Sequence, residues 1–479
     1  MSRTPIDRFR AREQIILTIV VLAVALGIMM LFAQEKQLYY LIGLIVMGVL
    51  AWTQLNIWRW VLLVFIFMPL SPSIPISSNL TGVTLELDDF VVLATIFIFI
   101  LNLIVEPKKK RIMDYYLIMP LAIFTLTVIF SSFVGFYRHQ SYLLIANAIG
   151  HYLKWLSYIV MYFIIVRTFT ADKDLKNLLR VILISFGIGS LVTVYRYLGH
   201  SAELDEIYRA GGLMEGLNGY AVLLAIILIF YFNLFLQGKS KELFPSWLFF
   251  IPWSTILVAL IITFSRTGWI TLWAGILGLS ILRKRRYVAV FMIAVALLGF
   301  YILRTPVEKR IKMTFEKQAS SLLPVDLGGR DDIWKRAIQR IGYRNILGVG
   351  FSNFSQVLMG TTAHNQYLAL LGETGLLGLV AFLFLLYRMF KSNIYLARNH
   401  PLPFYRECAV GSLTALIILP IISMAGEYFY MPTVMAVWLS FYATSYIAYW
   451  RAKQTSAPNQ PAYSRPPLLM TIGDLRNAK

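Results

Sequence analysis

Residues 251–282 read IPWSTILVALIITFSRTGWITLWAGILGLSIL, an apolar run of 32 residues with one charge, Arg266, near its middle. At ~1.5 Å per residue a single helix of this length would run ~48 Å, against a hydrocarbon core of ~30 Å. Lys239 and Lys241 precede the run, and the four cations Arg283 to Arg286 follow it. Short loops rich in Lys and Arg stay on the cytoplasmic side, so both ends belong there. The chain must go out and return, which sets Arg266 at the outer tip of a tight hairpin.

The same reading extends along the chain. Hydrophobic residues make up 58% of the 479 and charged residues 14%, too apolar for a soluble chain of this length. Apolar stretches centre on residues 15–33, 39–53, 56–71, 89–105, 115–136, 148–168, 178–198 and 219–237. After the 247–264 and 268–282 hairpin come 287–304, 368–390, 406–425 and 431–450. Backbone groups in lipid must be satisfied within the segment, so these are helices. The first follows Arg8, Arg10 and Arg12 but exceeds a signal-peptide core and is helix one. The expectation is an all-α polytopic membrane protein of about fourteen helices (roughly 12–14), with both termini cytoplasmic. Residues 1–454 form the transmembrane domain, 305–364 a large extracytoplasmic loop within it, and 455–479 a Pro-rich disordered cytoplasmic tail. The lone Cys408 makes no internal disulfide, and no Cys/His spacing points to a metal.

Inside-positive loops account for much of the net charge of +20, except in one place. The outer loop from Arg304 to His364 carries ten Lys or Arg against five Asp or Glu. Loops of this length translocate largely regardless of charge. Val307 to Leu323 reads as one amphipathic helix, and a second starts near the cap-like Asp331 and runs through Trp334 to Ile341. The cations are either a solvated or headgroup-contacting face, or a surface for an anionic lipid-linked diphosphate.

Several short motifs fall in this part of the chain. The hairpin tip is Ser265-Arg266-Thr267-Gly268-Trp269, and the loop holds Gly329-Arg330 with Trp334, then Gly348-Val349-Gly350-Phe351-Ser352-Asn353-Phe354. His364-Asn365-Gln366-Tyr367-Leu368 closes it, followed by Glu373-Thr374-Gly375-Leu376-Leu377-Gly378. Upstream lies Gly212-Leu213-Met214-Glu215-Gly216-Leu217-Asn218-Gly219-Tyr220-Ala221. In order, spacing and outer location, the stretch from Gly212 to Phe390 resembles the O-antigen ligase and O-antigen polymerase superfamily. The N-terminal third matches it only in topology, and members are often drawn with fewer helices.

The resemblance implies a membrane glycosyltransferase at the outer face of a bacterial inner membrane, active in lipopolysaccharide or other polysaccharide biosynthesis. The donor is a glycan on undecaprenyl diphosphate. The acceptor is a lipid A-core hydroxyl for a ligase, or a second lipid-linked repeat unit for a polymerase. Neither a metal nor another cofactor is implied, and the anomeric configuration inverts. On this reading His364 is the catalytic base and Arg266 and Arg330 bind the donor diphosphate, with Asn365 and Asn218 as further substrate contacts. An imidazole is available as a base near neutral pH, and guanidinium grips phosphate oxygens in bidentate fashion. Arg266 has a competing role, snorkelling to the headgroups, and Arg330 has one in a helix-start pair with Asp331 or Asp332. His151 and Lys154 share a helix face; with Trp155 and Tyr158 they are an interfacial anchor or a donor-phosphate contact. The repeat Gly372, Gly375, Gly378 needs only close packing.

A transporter or flippase of lipid-linked glycans is the rival from another class. It calls for charges scattered through several helices or two related halves, neither of which the sequence has. A purely structural scaffold leaves Arg266 and the basic loop unexplained.

Overall fold

A computed structural model describes residues 56–71, 73–74, 85–105, 115–139, 142–200, 209–212, 216–284, 330–342 and 346–456. The expected helices at 15–33, 39–53, 287–304 and 307–323, and the tail beyond residue 456, lie outside the described residues.

The described chain is predominantly helical. It runs α1 (Ile57–Phe67), α2 (Leu87–Val105), α3 (Tyr115–His139), α4 (Tyr142–Thr168), α5 (Asp172–His200) and α6 (Leu217–Leu236). It continues with α7 (Ser246–Ile262), α8 (Arg266–Leu282), α9 (Arg330–Ile341), α10 (Phe354–Val357), α11 (Gln366–Glu373), α12 (Gly375–Asn399), α13 (Pro403–Ile422) and α14 (Pro432–Ser456). A two-residue antiparallel pairing, Ser73–Ile74 with Leu85–Glu86, closes the connection before α2. Among the described residues, seven helices are long and apolar enough to cross a membrane, and α1, α7 and α8 are shorter apolar helices.

Helix α6 is the axis. Its sequence is apolar all round, as a helix surrounded by others requires, and nearly every residue from Gly219 to Asn233 is buried. Helices α8, α13 and α14 pack around it, α5 pairs with α7, and α3 with α12. Small residues set the close approach of α6 and α8. A methyl group added at Gly268 would lie 2.6 Å from the Ala221 Cβ, and one at Gly275 would lie 2.2 Å from Ile229 Cδ1. Phe230 stacks on Phe441 with ring centres 3.7 Å apart, joining α6 to α14.

The 251–282 run does break in two. Helix α7 stops at Ile262, Phe264 takes a positive φ of 47°, and Ser265 caps α8 by accepting the Gly268 N–H at 3.3 Å. The expected single helix over 368–390 is instead two, α11 and α12. Gly375 adopts φ +69° at the joint, and α11 ends where Thr374 turns its N–H back to Leu370 O at 2.8 Å. The helix expected near Asp331 begins one residue earlier, at Arg330, with both Asp331 and Asp332 in its first turn.

At the end of the bundle remote from Ser265, polar groups form structural pairs. Arg283 of α8 bonds Glu407 of α13, and Asn233 of α6 donates to the Glu407 carbonyl at 2.8 Å. Lys176 bridges Asp172 at 3.1 Å and Glu242 at 3.0 Å.

Candidate functional site

The other end of the bundle gathers the motifs. A second, small core of Ala337, Phe354, Leu358, Ala363 and Ala369 lies beneath the connection into α11, with Ile333 and Ile341 of α9 packed on it. The Trp334 indole N–H donates to Ala363 O at 3.1 Å, so α9 is fastened to the residue before His364. Its amphipathic sequence explains the arrangement: the apolar face covers this core, while Arg330 at its first turn lies within electrostatic reach of Arg266 at the hairpin tip.

The Gly-Val-Gly motif is bonded through its backbone to the end of α11. Val349 N–H donates to Gly372 O at 3.1 Å and Gly350 N–H to Glu373 O at 2.8 Å. Gly348 has φ +72°, and a Cβ there would meet Glu373 O at 2.2 Å, so the position combines a left-handed turn with backbone contact. Gly372 packs its bare Cα against the Phe354 ring.

Three of the expected site residues come together. Arg266, at the first turn of α8, and Arg330, at the first turn of α9, are both half-buried and within electrostatic reach of each other. Burial holds the Arg330 pKa below its ordinary range, and the Arg266 charge lowers it further, with Tyr428 acting in the opposite sense. His364 is half-buried; burial and then the Arg330 charge push its pKa below the ordinary 6.5. The Thr362 hydroxyl lies 3.2 Å from His364 Nδ1. Two guanidinium groups within electrostatic reach of each other offer cations to an anionic group. A neutral imidazole beside it can accept a proton.

Asn365 and Asn218 have structural tasks at the same end. Asn365 is the cap of α11, its Oδ1 accepting the N–H groups of Tyr367 at 3.0 Å and Leu368 at 3.1 Å. Asn218 Oδ1 accepts from Ser265 Oγ at 2.9 Å and from Arg209 Nη2 at 3.0 Å, bracing the hairpin tip that carries Arg266. Lys154 is not in the arginine cluster. It pairs with Asp89 at 2.8 Å and lies 4.0 Å from Glu86, while Tyr158 donates to Asp88 at 2.7 Å and to Asp89 at 2.9 Å. His151 is half-buried one turn before it on α4.

Sequence reasoning missed the residues that join these parts. The connection between α13 and α14 carries Glu427 and Tyr428. Glu427 Oε1 accepts the His364 backbone N–H at 3.1 Å, and the Tyr428 hydroxyl reaches the Thr267 side chain beside Arg266. Gln366 N–H donates to Gly426 O at 3.2 Å, and Phe429 N–H donates back to Gln366 Oε1 at 3.1 Å. Glu373 is buried beside the Tyr430 hydroxyl. Burial, followed by the Glu427 charge, pushes its pKa up to about 8, and burial pushes Glu427 up to about 7. An acid isolated between two apolar helices was the available signal for Glu427.

The fold and site define a polytopic helical membrane protein with a cationic, His-bearing site at one end of the bundle. Residues 251–383, from the start of the hairpin through His364 and into α12, match the family described as O-antigen ligase. That stretch, rather more than a quarter of the chain, is similar to the O-antigen ligase family. No curated protein matches the chain.

Proposed function

We propose that the protein transfers a glycan from undecaprenyl diphosphate to an acceptor sugar hydroxyl at the outer face of the bacterial inner membrane. About fourteen helices, cytoplasmic termini and an extracytoplasmic site complete this reading. The observation that carries it is the convergence of Arg266, Arg330 and His364 from three separate segments of the matched region.

The chemistry follows from those groups. His364 takes the proton of the acceptor hydroxyl as its oxygen attacks the anomeric carbon from the face opposite the diphosphate. The new glycosidic bond forms while the bond to the diphosphate breaks, so the configuration inverts. Undecaprenyl diphosphate departs with the electron pair, and Arg266 and Arg330 stabilise its charge. A ligase presents a lipid A-core hydroxyl and a polymerase presents a second lipid-linked repeat unit; the same three residues serve either. The site residues need no nucleic acid and no added cofactor for these roles. Charged groups near the ends of the bundle, with Arg266 at a hairpin tip, favour transfer over transport.

The test is transfer from a purified, labelled lipid-linked glycan by the protein in lipid, with both acceptors offered. Label on lipid A-core indicates a ligase and longer lipid-linked chains a polymerase. Donor carried across the bilayer with no new glycosidic bond contradicts the reading.

A further inference from the structure

His364 stands in an unusual backbone conformation. Its φ is +49°, in the left-handed region that only a few per cent of non-glycine residues occupy, Asn, Asp and His most readily. Such a conformation persists only where the surroundings over-determine it, and it clusters at functional sites. On one side Trp334 holds the carbonyl of Ala363 at 3.1 Å. On the other, Asn365 is committed to capping α11. What remains is the peptide N–H of His364 itself, and it is taken by the Glu427 carboxylate at 3.1 Å.

We propose that Glu427 is a positioning residue of the transfer site, holding the His364 backbone in its left-handed turn and thereby setting where the imidazole points. The inference rests on the role proposed for His364. The hydrogen bond runs to the backbone of His364 and not to its ring, so Glu427 acts through the geometry of His364. The Ala363 backbone also lies near the Glu427 carboxylate. Glu427 is well placed for this because its connection is already anchored by bonds that do not involve its side chain. Gln366 N–H to Gly426 O and Phe429 N–H to Gln366 Oε1 register the 426–429 backbone against 364–366. Tyr428, the next residue, reaches Thr267 at the hairpin tip and lies near Arg330. One short connection thus links the His364 backbone to the hairpin tip that carries Arg266 and runs near Arg330. The groups facing Glu427 are His364 and Ala363 from the loop, Glu373 from α11 and Tyr430 from its own connection.

The experiment compares Glu427→Ala and Glu427→Gln in the full protein in lipid. It reads donor binding, turnover and amide hydrogen exchange over residues 361–367. Gln keeps an acceptor oxygen where Ala has none. Misplacing a reacting group by ~1 Å can cost ~100-fold in rate. Glu427→Ala should therefore lower kcat by ~10- to 100-fold, leave donor affinity unchanged and speed exchange at Ala363 and His364. Glu427→Gln should restore slow exchange and most of the turnover. Adding Glu427→Ala to His364→Ala should cost little more than His364→Ala alone, because both changes remove one function. Wild-type exchange in Glu427→Ala, Gln as poor as Ala, or independent multiplying losses would each overturn this role. Full turnover by His364→Ala would instead remove the proposed function, while the exchange comparison would still decide whether Glu427 holds the loop.

Discussion

The Arg330 guanidinium lies close enough to the His364 imidazole to lower its pKa, in addition to the effect of burial. If His364 is the base of the proposed reaction, an imidazole held neutral in this way works at neutral pH without competition from its own proton. Transfer should hold through neutral pH and fall only as pH drops through a value below 6.5. Arg330→Lys keeps a cation there, so its acid limb should stay near the wild-type position. Arg330→Gln removes the charge, and the limb of its residual activity should move to higher pH. A limb that moves down, or not at all, in Arg330→Gln would show that the charge of Arg330 does not act on the base.

The arginines themselves are tested by geometry. A lysine supplies charge but no planar fork. Arg266→Lys and Arg330→Lys should each weaken donor binding and transfer by ~10-fold or more, with normal protein abundance in the membrane. Full activity for both Lys forms would return the arginines to headgroup and helix-start roles.

Lys154 carries the opposite expectation. Its ammonium is paired with Asp89 at 2.8 Å in a group that also includes Glu86, Asp88 and Tyr158. Removing one partner of a buried pair strands the other, at a cost of roughly 3–5 kcal/mol. Lys154→Met should lower thermal stability and abundance, while turnover per folded molecule persists. Lost turnover at normal stability would restore a phosphate contact to this residue.

Glu373 and Glu427 make stability depend on pH in a definite direction. Their folded-state pKa values, about 8 and about 7, lie above the ordinary carboxylate range. The folded protein therefore holds protons that the unfolded chain has released, and stability falls as pH rises through 7 and 8. Glu373→Gln should flatten the upper part of this decline in a series of thermal unfolding midpoints. A decline of unchanged slope would place the linked proton elsewhere.

Hydropathy was enough to find the long apolar helices among the described residues, because a bilayer imposes length and apolarity on the sequence directly. The break at Ser265-Arg266 was legible for the same reason: no single helix fits the run. The joint at Gly375 was not, since α11 and α12 are both apolar and a turn of one left-handed residue leaves hydropathy unchanged. Arg266, Arg330 and His364 were singled out by motif order, and the fold sets their three distant segments at one end of the bundle, at the starts of α8, α9 and α11. Lys154 was ambiguous because its partners Glu86 and Asp89 lie far away in sequence. Glu427 escaped notice because its role is to hold a backbone N–H, and no spacing rule marks the side chain that accepts one.

The central claim is that His364 takes the acceptor proton, and one pair of variants tests it most directly. Donor binding and turnover are measured separately for His364→Ala and His364→Gln, in purified protein reconstituted in lipid. Loss of a general base costs ~100- to 10,000-fold in rate. Both variants should bind the lipid-linked donor as the wild type does and lose turnover on that scale. His364→Gln should be nearly as poor as His364→Ala, because an amide can hydrogen-bond the acceptor but cannot take its proton. Near-normal turnover by His364→Gln would contradict the account.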